Sequence, residues 1–184
     1  MAKTYDAIDA KLRTFIDEQK MFFVATAPRT PDGHINVSPK GLAGTFAVID
    51  DRTIAYLDLT GSGVETIAHL RENGRICVMF CAFEGRPRIV RVHGAGDVVE
   101  PNDAEFERLS GHFDEYPGVR SIIRVRARRI SDSCGYGVPL YEHKNARDQL
   151  QRWADHKGEE GVAQYQRDNN AESLDGLPSL LGDH

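Results

Sequence analysis

The sequence predicts a mainly β domain: a small closed or split β-barrel with Greek-key-like connections and helices at its periphery. Three observations carry this reading. About five to seven short apolar or alternating runs recur at short spacing, each bounded by turn residues. Gly94 and Gly96 interrupt one run, as a bulge or tight corner of a small barrel requires. Helical signals are confined to the two ends and two short internal stretches.

Each element follows in order. Ile8, Leu12, Phe15 and Ile16 fall at helical spacing, which predicts an amphipathic helix over about residues 5–20. Residues 21–27 form a short apolar strand ending before Pro28, and Pro31-Asp32-Gly33 turns the chain into a second strand over 35–40. The pair reads as a hairpin. Residues 46–49 and 53–58 flank Asp50-Asp51-Arg52 and read as a second hairpin. A helix over 63–73, stopped by Asn73-Gly74, leads to the almost continuously apolar run 75–83, a central buried strand. A turn at Glu84-Gly85-Arg86-Pro87 opens the strand 88–99. Asn102 and Glu105 have capping-box spacing, predicting a helix through about His112. Over 121–130, Ile123, Val125 and Ala127 alternate with Arg124, Arg126 and Arg128, a strand buried on one side whose arginine face is read first as solvated and second as a subunit contact or anion site. A Gly/Pro loop over 134–142 precedes a helical segment over about 143–170, with Leu150 and Trp153 on one side. No repeat or linker divides residues 1–184, so a single domain with its barrel core over about 21–133 is expected.

Composition narrows the function. A net charge of -5 argues against a nucleic-acid binder acting through bulk charge. No run approaches the roughly 20 apolar residues of a membrane span. Met-Ala-Lys-Thr-Tyr-Asp lacks an apolar signal core, and Cys77, Cys81 and Cys134 form no disulfide framework, so a cytoplasmic protein is expected. Cys77 and Cys81 read as small buried hydrophobes. With neither C-x-x-C nor H-E-x-x-H, no metal site is expected.

The most informative stretch is Tyr56-Leu57-Asp58-Leu59-Thr60-Gly61-Ser62-Gly63, a strand entering a Gly- and hydroxyl-rich turn before a helix. A helix start carries unpaired N–H groups and partial positive charge, and hydroxyls add donors. Taken alone, the turn reads first as a capped connection and second as a phosphate seat. His69 reads as a surface or packing residue of its helix, His93 as a satisfied barrel histidine, and His34 as a loop residue without a partner. No catalytic triad or paired-carboxylate arrangement emerges, and the catalytic residues are unknown.

The ordered set of Phe22-Phe23-Val24-Ala25-Thr26-Ala27, Asp32-Gly33, Asn36-Val37-Ser38-Pro39-Lys40-Gly41, the Ser62 turn and Arg91-Val92-His93-Gly94 resembles the pyridoxamine 5′-phosphate oxidase-like proteins, the FMN-binding split β-barrel group. The similarity covers about residues 15–130. The ending around Cys134-Gly135-Tyr136 and Asp175-Gly176-Leu177-Pro178 is similar to an oxidase subgroup whose members mostly lack an assigned substrate. The resemblance implies a homodimer with FMN at the subunit interface, acting on a small molecule. It implies that Asn36, Val37, Ser38, Lys40, Tyr56, Leu57 and Asp58 line the flavin. Lys40, Ser62 and Thr66 would hold its phosphate, with Arg91 a further basic candidate. The flavin would carry the hydride or electron transfer itself, so a missing acid or base does not argue against an oxidoreductase. True pyridoxamine 5′-phosphate oxidases carry a Ser-Arg-Lys turn and end in a Trp-containing segment with Arg-Leu and Pro; Ser62-Gly63-Val64 and Leu177-Pro178-Ser179-Leu180-Leu181 stand there instead, which argues against vitamin B6 oxidation and predicts weaker FMN binding. Two alternatives accompany this reading. One is a deazaflavin coenzyme in a basic groove built from Arg86, Arg88 and Arg91. The other is a haem- or flavin-holding protein without turnover, with His69 or His93 as the axial haem ligand.

Overall fold

A computed structural model describes residues 3–180. The elements run β1 (Lys3–Tyr5), α1 (Ala10–Glu18), β2 (Met21–Thr26), β3 (Asn36–Gly41), β4 (Phe46–Val48), β5 (Thr53–Leu59), α2 (Glu65–Asn73), β6 (Arg75–Cys81), β7 (Ile89–Val99), α3 (Phe106–Ser110), β8 (Val119–Ser133) and α4 (Gln149–Asn169). The strands pair antiparallel in the order β3-β2-β6-β7-β8-β5-β4, with β1 added to β8. The fold is therefore mainly β, a curled split barrel with few helices, as the strand pattern predicts.

The curl is set by aromatic packing. β4 ends one side of the sheet path and β2 lies next to the other end. Yet the rings of Phe22 and Phe46 sit 5.1 Å apart, and Phe46 meets Phe80 edge-on at 5.2 Å. Only a sheet bent round on itself brings these strands together. Tyr56 closes the group at 5.4 Å from Phe22. A second apolar cluster lies on the outer face, where Ala55, Leu57 and Ile122 pack with Leu109 of α3. β5 is thus covered on both faces over residues 54–58. β7 shifts register between His93 and Gly94, the expected bulge. A Cβ at Gly94 would lie 2.4 Å from the Arg126 carbonyl oxygen, so only glycine fits there.

Four expectations need correction. The first helix does not begin at residue 5: Lys3–Tyr5 is a strand on β8, with the Tyr5 hydroxyl donating to Asp132 Oδ2 at 2.6 Å. Asp9 caps the helix instead, its carboxylate accepting the Leu12 N–H at 2.8 Å. The Asn102/Glu105 capping box does not form. Asp103 takes the Glu100 N–H at 2.6 Å, Glu105 turns to Arg108 and Arg124, and α3 spans only five residues. Arg124 is correspondingly ion-paired to Asp97 and Glu105; Arg126, 3.8 Å from Asp97, and Arg128 are exposed. The C-terminal helix starts at Gln149 and is broken at Gly158, where φ is 68°. Trp153 and Tyr165 are twelve residues apart, about 18 Å along a straight helix. Their rings stack edge-on at 4.9 Å, so the two halves fold against each other. Ala154 and Val162 are its buried residues, while Leu150 is exposed.

The aromatic cluster makes the curl testable. Phe80 is 1% exposed and contacts both Phe22 and Phe46. Phe80→Ala is expected to cost about 3–5 kcal/mol in urea denaturation. A loss below about 1 kcal/mol would show that these rings do not hold the sheet ends together.

Candidate functional site

Strand alternation selects what faces the barrel interior. In the β2–β3 ladder Asn36, Ser38 and Lys40 stand opposite Thr26, Val24 and Phe22, which are buried. Residues directly opposite share a face, so these three side chains point inward. Val37 points the other way and is exposed. On β5, Tyr56 faces the aromatic cluster, while Leu57 is turned into the outer cluster under α3. Asp58 lies on the Tyr56 face at the end of β5, where the chain enters Thr60-Gly61-Ser62-Gly63 and then α2. A cavity of about 250 Å³ opens at this junction, lined by Ser38, Lys40, Ser62, Glu65, Thr66 and Arg120 among others.

Asp58 is the electrostatic centre. Its side chain is fully buried, with one oxygen 3.0 Å from Lys40 Nζ and the other 2.6 Å from Arg120 Nε. Burial alone would raise its pKa. The charges of Arg120 and Lys40, and their hydrogen bonds, overrule burial and hold it at about 2. Arg120 is itself buried and uses its other nitrogens on Asn170 Oδ1 at 2.9 Å and the Gly63 carbonyl at 2.8 Å. Burial, reinforced by the Asp58 charge, pushes the Tyr56 phenol well above its ordinary value, so it stays protonated.

A hydroxyl network leads inward from the cavity. Ser38 Oγ donates to Asn36 Oδ1 at 2.9 Å, and Asn36 Nδ2 donates to Thr66 Oγ1 at 3.0 Å and Thr26 Oγ1 at 3.2 Å. Thr26 Oγ1 meets His69 Nδ1 at 2.9 Å. His69 is completely buried, and its Nε2 has no partner. Desolvation lowers its pKa, against the opposing pull of Asp175, Glu65 and Glu72. His69 is therefore an interior residue of this network rather than a surface one.

The structure brings together Asn36, Ser38, Lys40, Tyr56, Asp58, Ser62 and Thr66. It does not bring Val37 or Leu57 into the cavity, because their side chains alternate to the opposite face. Arg91 also lies outside. It pairs with Met79 and Ser131 in the ladders, on the face opposite Phe80 and Val90, and bonds Ser133 Oγ at 3.1 Å. The basic groove expected from Arg86, Arg88 and Arg91 does not form as one surface. Arg86 and Arg88 border a separate depression of about 800 Å³ that Arg91 does not line, and Arg88 is held by Asp132 at 2.9 Å. His93 is exposed rather than a barrel histidine, with Nε2 3.8 Å from Cys77 Sγ. Cys81 is buried, Cys77 half-buried and Cys134 exposed. His34 has a partner after all, Asp175 at 2.6 Å. Among the described residues no group of three or more His, Cys, Asp or Glu is placed to hold a metal ion, and no helix is long and apolar enough to cross a membrane.

Arg120, Glu65, Gln166 and Asn170 are the site residues that sequence reasoning missed. Arg120 stands just outside the strand read from the sequence. Asn170 and Gln166 come from a helix more than a hundred residues beyond the loop they touch.

Chemically, the cavity presents hydroxyls, helix-start N–H groups and two cations. Lys40 and Arg120 carry one positive charge beyond Asp58, and Glu65 on the rim offsets it. An oxyanion here would be held mainly by directional donors, with modest net charge.

The family profile described as pyridoxamine 5′-phosphate oxidase matches residues 8–134. A "Pyridoxamine 5′-phosphate oxidase family protein", ustO of Aspergillus flavus, is 42% identical over 196 residues, covering 96% of this chain and 77% of its own. Two crystal structures of HupZ from Group A Streptococcus share the fold at 22% identity. One has a TM-score of 0.53, covering 68% of this chain and 99% of its own; the other has 0.51, covering 67% and 91%. The chain belongs to the pyridoxamine 5′-phosphate oxidase family.

Asp58 supplies a pH test. Its folded pKa of about 2 lies below the unfolded value of 3.8. Its contribution is therefore present above about pH 4 and lost as pH falls through about 2, an effect of about 2 kcal/mol. Asp58→Asn is expected to flatten stability against pH in this window. It also strips the buried Arg120 of its counterion, at a cost of about 3–5 kcal/mol near neutral pH. Chemical denaturation at a series of pH values measures both. An unchanged acid slope would mean that Asp58 is not held ionised by its two cations.

Proposed function

We propose that the cavity is the phosphate seat of FMN and that the protein is a flavin-dependent oxidoreductase acting on a small molecule. One observation carries the reading. Ser38 and Lys40 of β3, Ser62 and Thr66 around the start of α2, and Arg120 of β8 converge on one cavity in a chain of this family. The donor set fits a phosphate monoester. It offers an ammonium 24% exposed in its side chain, hydroxyls on adjoining elements, and a loop whose Gly61 leaves the backbone open to a ligand.

In this reading Lys40 contacts the phosphate while keeping Asp58 as its counterion, so its ammonium is aimed before ligand arrives. Thr66 is oriented by Asn36, and Asn36 by Ser38. Arg120 holds the Gly63 carbonyl and keeps that oxygen engaged. The bound flavin supplies the hydride or electron transfer; the chain binds it, orients it and excludes water around Asp58.

The same reading includes a homodimer. Its support is family membership together with apolar surface that lacks cover within the chain. Ile35 is 75% exposed and Val37 63% exposed, both at the sheet edge formed by β3. An obligate interface of this kind buries more than about 2,000 Å² in total. Light scattering at micromolar concentration is expected to report twice the 20.5 kDa chain mass. A monomer would reject the dimer.

The phosphate assignment is tested by Ser62→Ala combined with Thr66→Val. Fluorescence titration is expected to show FMN affinity falling about tenfold or more, while riboflavin, which lacks the phosphate, changes little. Equal losses for both ligands would remove this turn from the phosphate site.

A further inference from the structure

We infer that the C-terminal segment, residues 149–180, is an integral brace of the phosphate loop, with Asn170 and Gln166 as positioning residues that set its ligand preference. The inference rests on the FMN-phosphate reading and deepens it. The segment lies wholly beyond the residues that the family profile matches, 8–134.

The loop Thr60-Gly61-Ser62-Gly63 has two glycines and no bulky side chain to fix it. Such a loop is free to turn carbonyl oxygens toward a ligand, and a carbonyl facing a phosphate repels it. Here the two glycine carbonyls are taken. Asn170 Nδ2 donates to the Gly61 carbonyl at 3.0 Å, and Arg120 donates to the Gly63 carbonyl at 2.8 Å. The two holds are one unit, because Asn170 Oδ1 accepts from Arg120 at 2.9 Å. Thr60 is fixed at the front of the loop, donating to the Gly118 carbonyl and accepting from Gln166 Nε2, each at 2.8 Å. With their carbonyls engaged, the peptide units can present N–H groups to an anion.

Asn170 is itself immobilised. It is completely buried; its N–H caps α4 on the Gln166 carbonyl at 2.7 Å, and its carbonyl accepts the Ser179 hydroxyl. Arg71 of α2 donates to the Ser179 carbonyl, so the tail is tied back to the helix that starts at the cavity. The tail also engages the acidic group on the rim: the Leu174 N–H donates to Glu65 Oε1 at 3.3 Å, turning one carboxylate oxygen to the tail. At the other end of the brace, a Cβ at Gly118 would lie 3.2 Å from that of Ala154, so the first half of α4 sits against the turn that leads into the strand carrying Arg120. These contacts place a buried amide between the fixed guanidinium and the loop backbone, its oxygen satisfying Arg120 and its nitrogen holding the Gly61 carbonyl.

The test titrates the full chain and two variants, Asn170→Ala and Gln166→Ala, with FMN and with riboflavin, following fluorescence, alongside thermal unfolding. Asn170→Ala is expected to lower FMN affinity about tenfold with riboflavin within about twofold; Gln166→Ala, which removes one neutral bond, should lower FMN affinity about threefold. A purely structural role would lower Tm without moving the ratio of the two affinities. Gln166 is only half-buried, so its variant decides the matter if Asn170→Ala fails to fold. If the unaltered chain binds FMN no more tightly than riboflavin, the phosphate reading falls and this inference with it. If the unaltered chain prefers FMN and the folded variants keep that preference, or lose both ligands equally, the brace alone is overturned.

Discussion

The site depends on one buried carboxylate. Asp58 sits in the barrel wall without contact with water and holds two cations from different strands, Lys40 of β3 and Arg120 of β8. Taking an ion pair out of water costs several kcal/mol per ion, and attraction offsets that only where the geometry is good and the remaining hydrogen-bonding capacity is used. Here it is used: each carboxylate oxygen has a cationic donor, and Arg120 spends its other nitrogens on Asn170 and Gly63. The triad adds little to stability over a well-packed apolar trio. What it provides is position. It fixes a lysine at the mouth of the cavity, a guanidinium at its back, and the end of β5 between them.

That arrangement explains which parts of the protein were legible in the sequence. Strands over 21–27, 46–49 and 53–58 announce themselves by local alternation and turn residues, and so does the bulge at Gly94. Lys40, Ser62 and Thr66 were reachable because the strand–turn–helix order has a physical reason to seat an oxyanion. Val37 and Leu57 show the limit: a contiguous run was read as lining the site, yet period-two alternation sends every second side chain to the opposite face. Arg91 fails for the same reason, since its register opposite Met79 places it outside. Those facings follow from pairings that only the fold supplies.

The remaining misses are non-local. The Asp58–Arg120 contact spans 62 positions, Asn170–Gly61 spans 109 and His34–Asp175 spans 141. No periodicity encodes such pairs. The break in α4 did leave a signal, because Gly158 falls in a helical run and adopts φ of 68°. That break folds Trp153 onto Tyr165, with Lys157 over both rings. It allows one segment both to place Ala154 against Gly118 and to deliver Asn170 to the loop.

β3 carries the last step of the argument. An ordinary one-sided strand turns apolar residues to the core and polar residues to water. β3 is inverted: Asn36, Ser38 and Lys40 face inward, while Val37 and Pro39 face out and are exposed. The inward polarity follows from what lies there, a polar cavity lined by Ser38 and Lys40 with the buried Asp58 carboxylate behind Lys40. The outward apolar face has no such reason within one chain, and Pro39 is tolerated because β3 is the edge of the sheet. In the proposed dimer a second subunit covers that face. One strand then contributes donors to the ligand on one side and apolar surface to the partner on the other. Its alternation would couple assembly to the site, since anything that shifts the register of β3 by one residue exchanges the two faces at once.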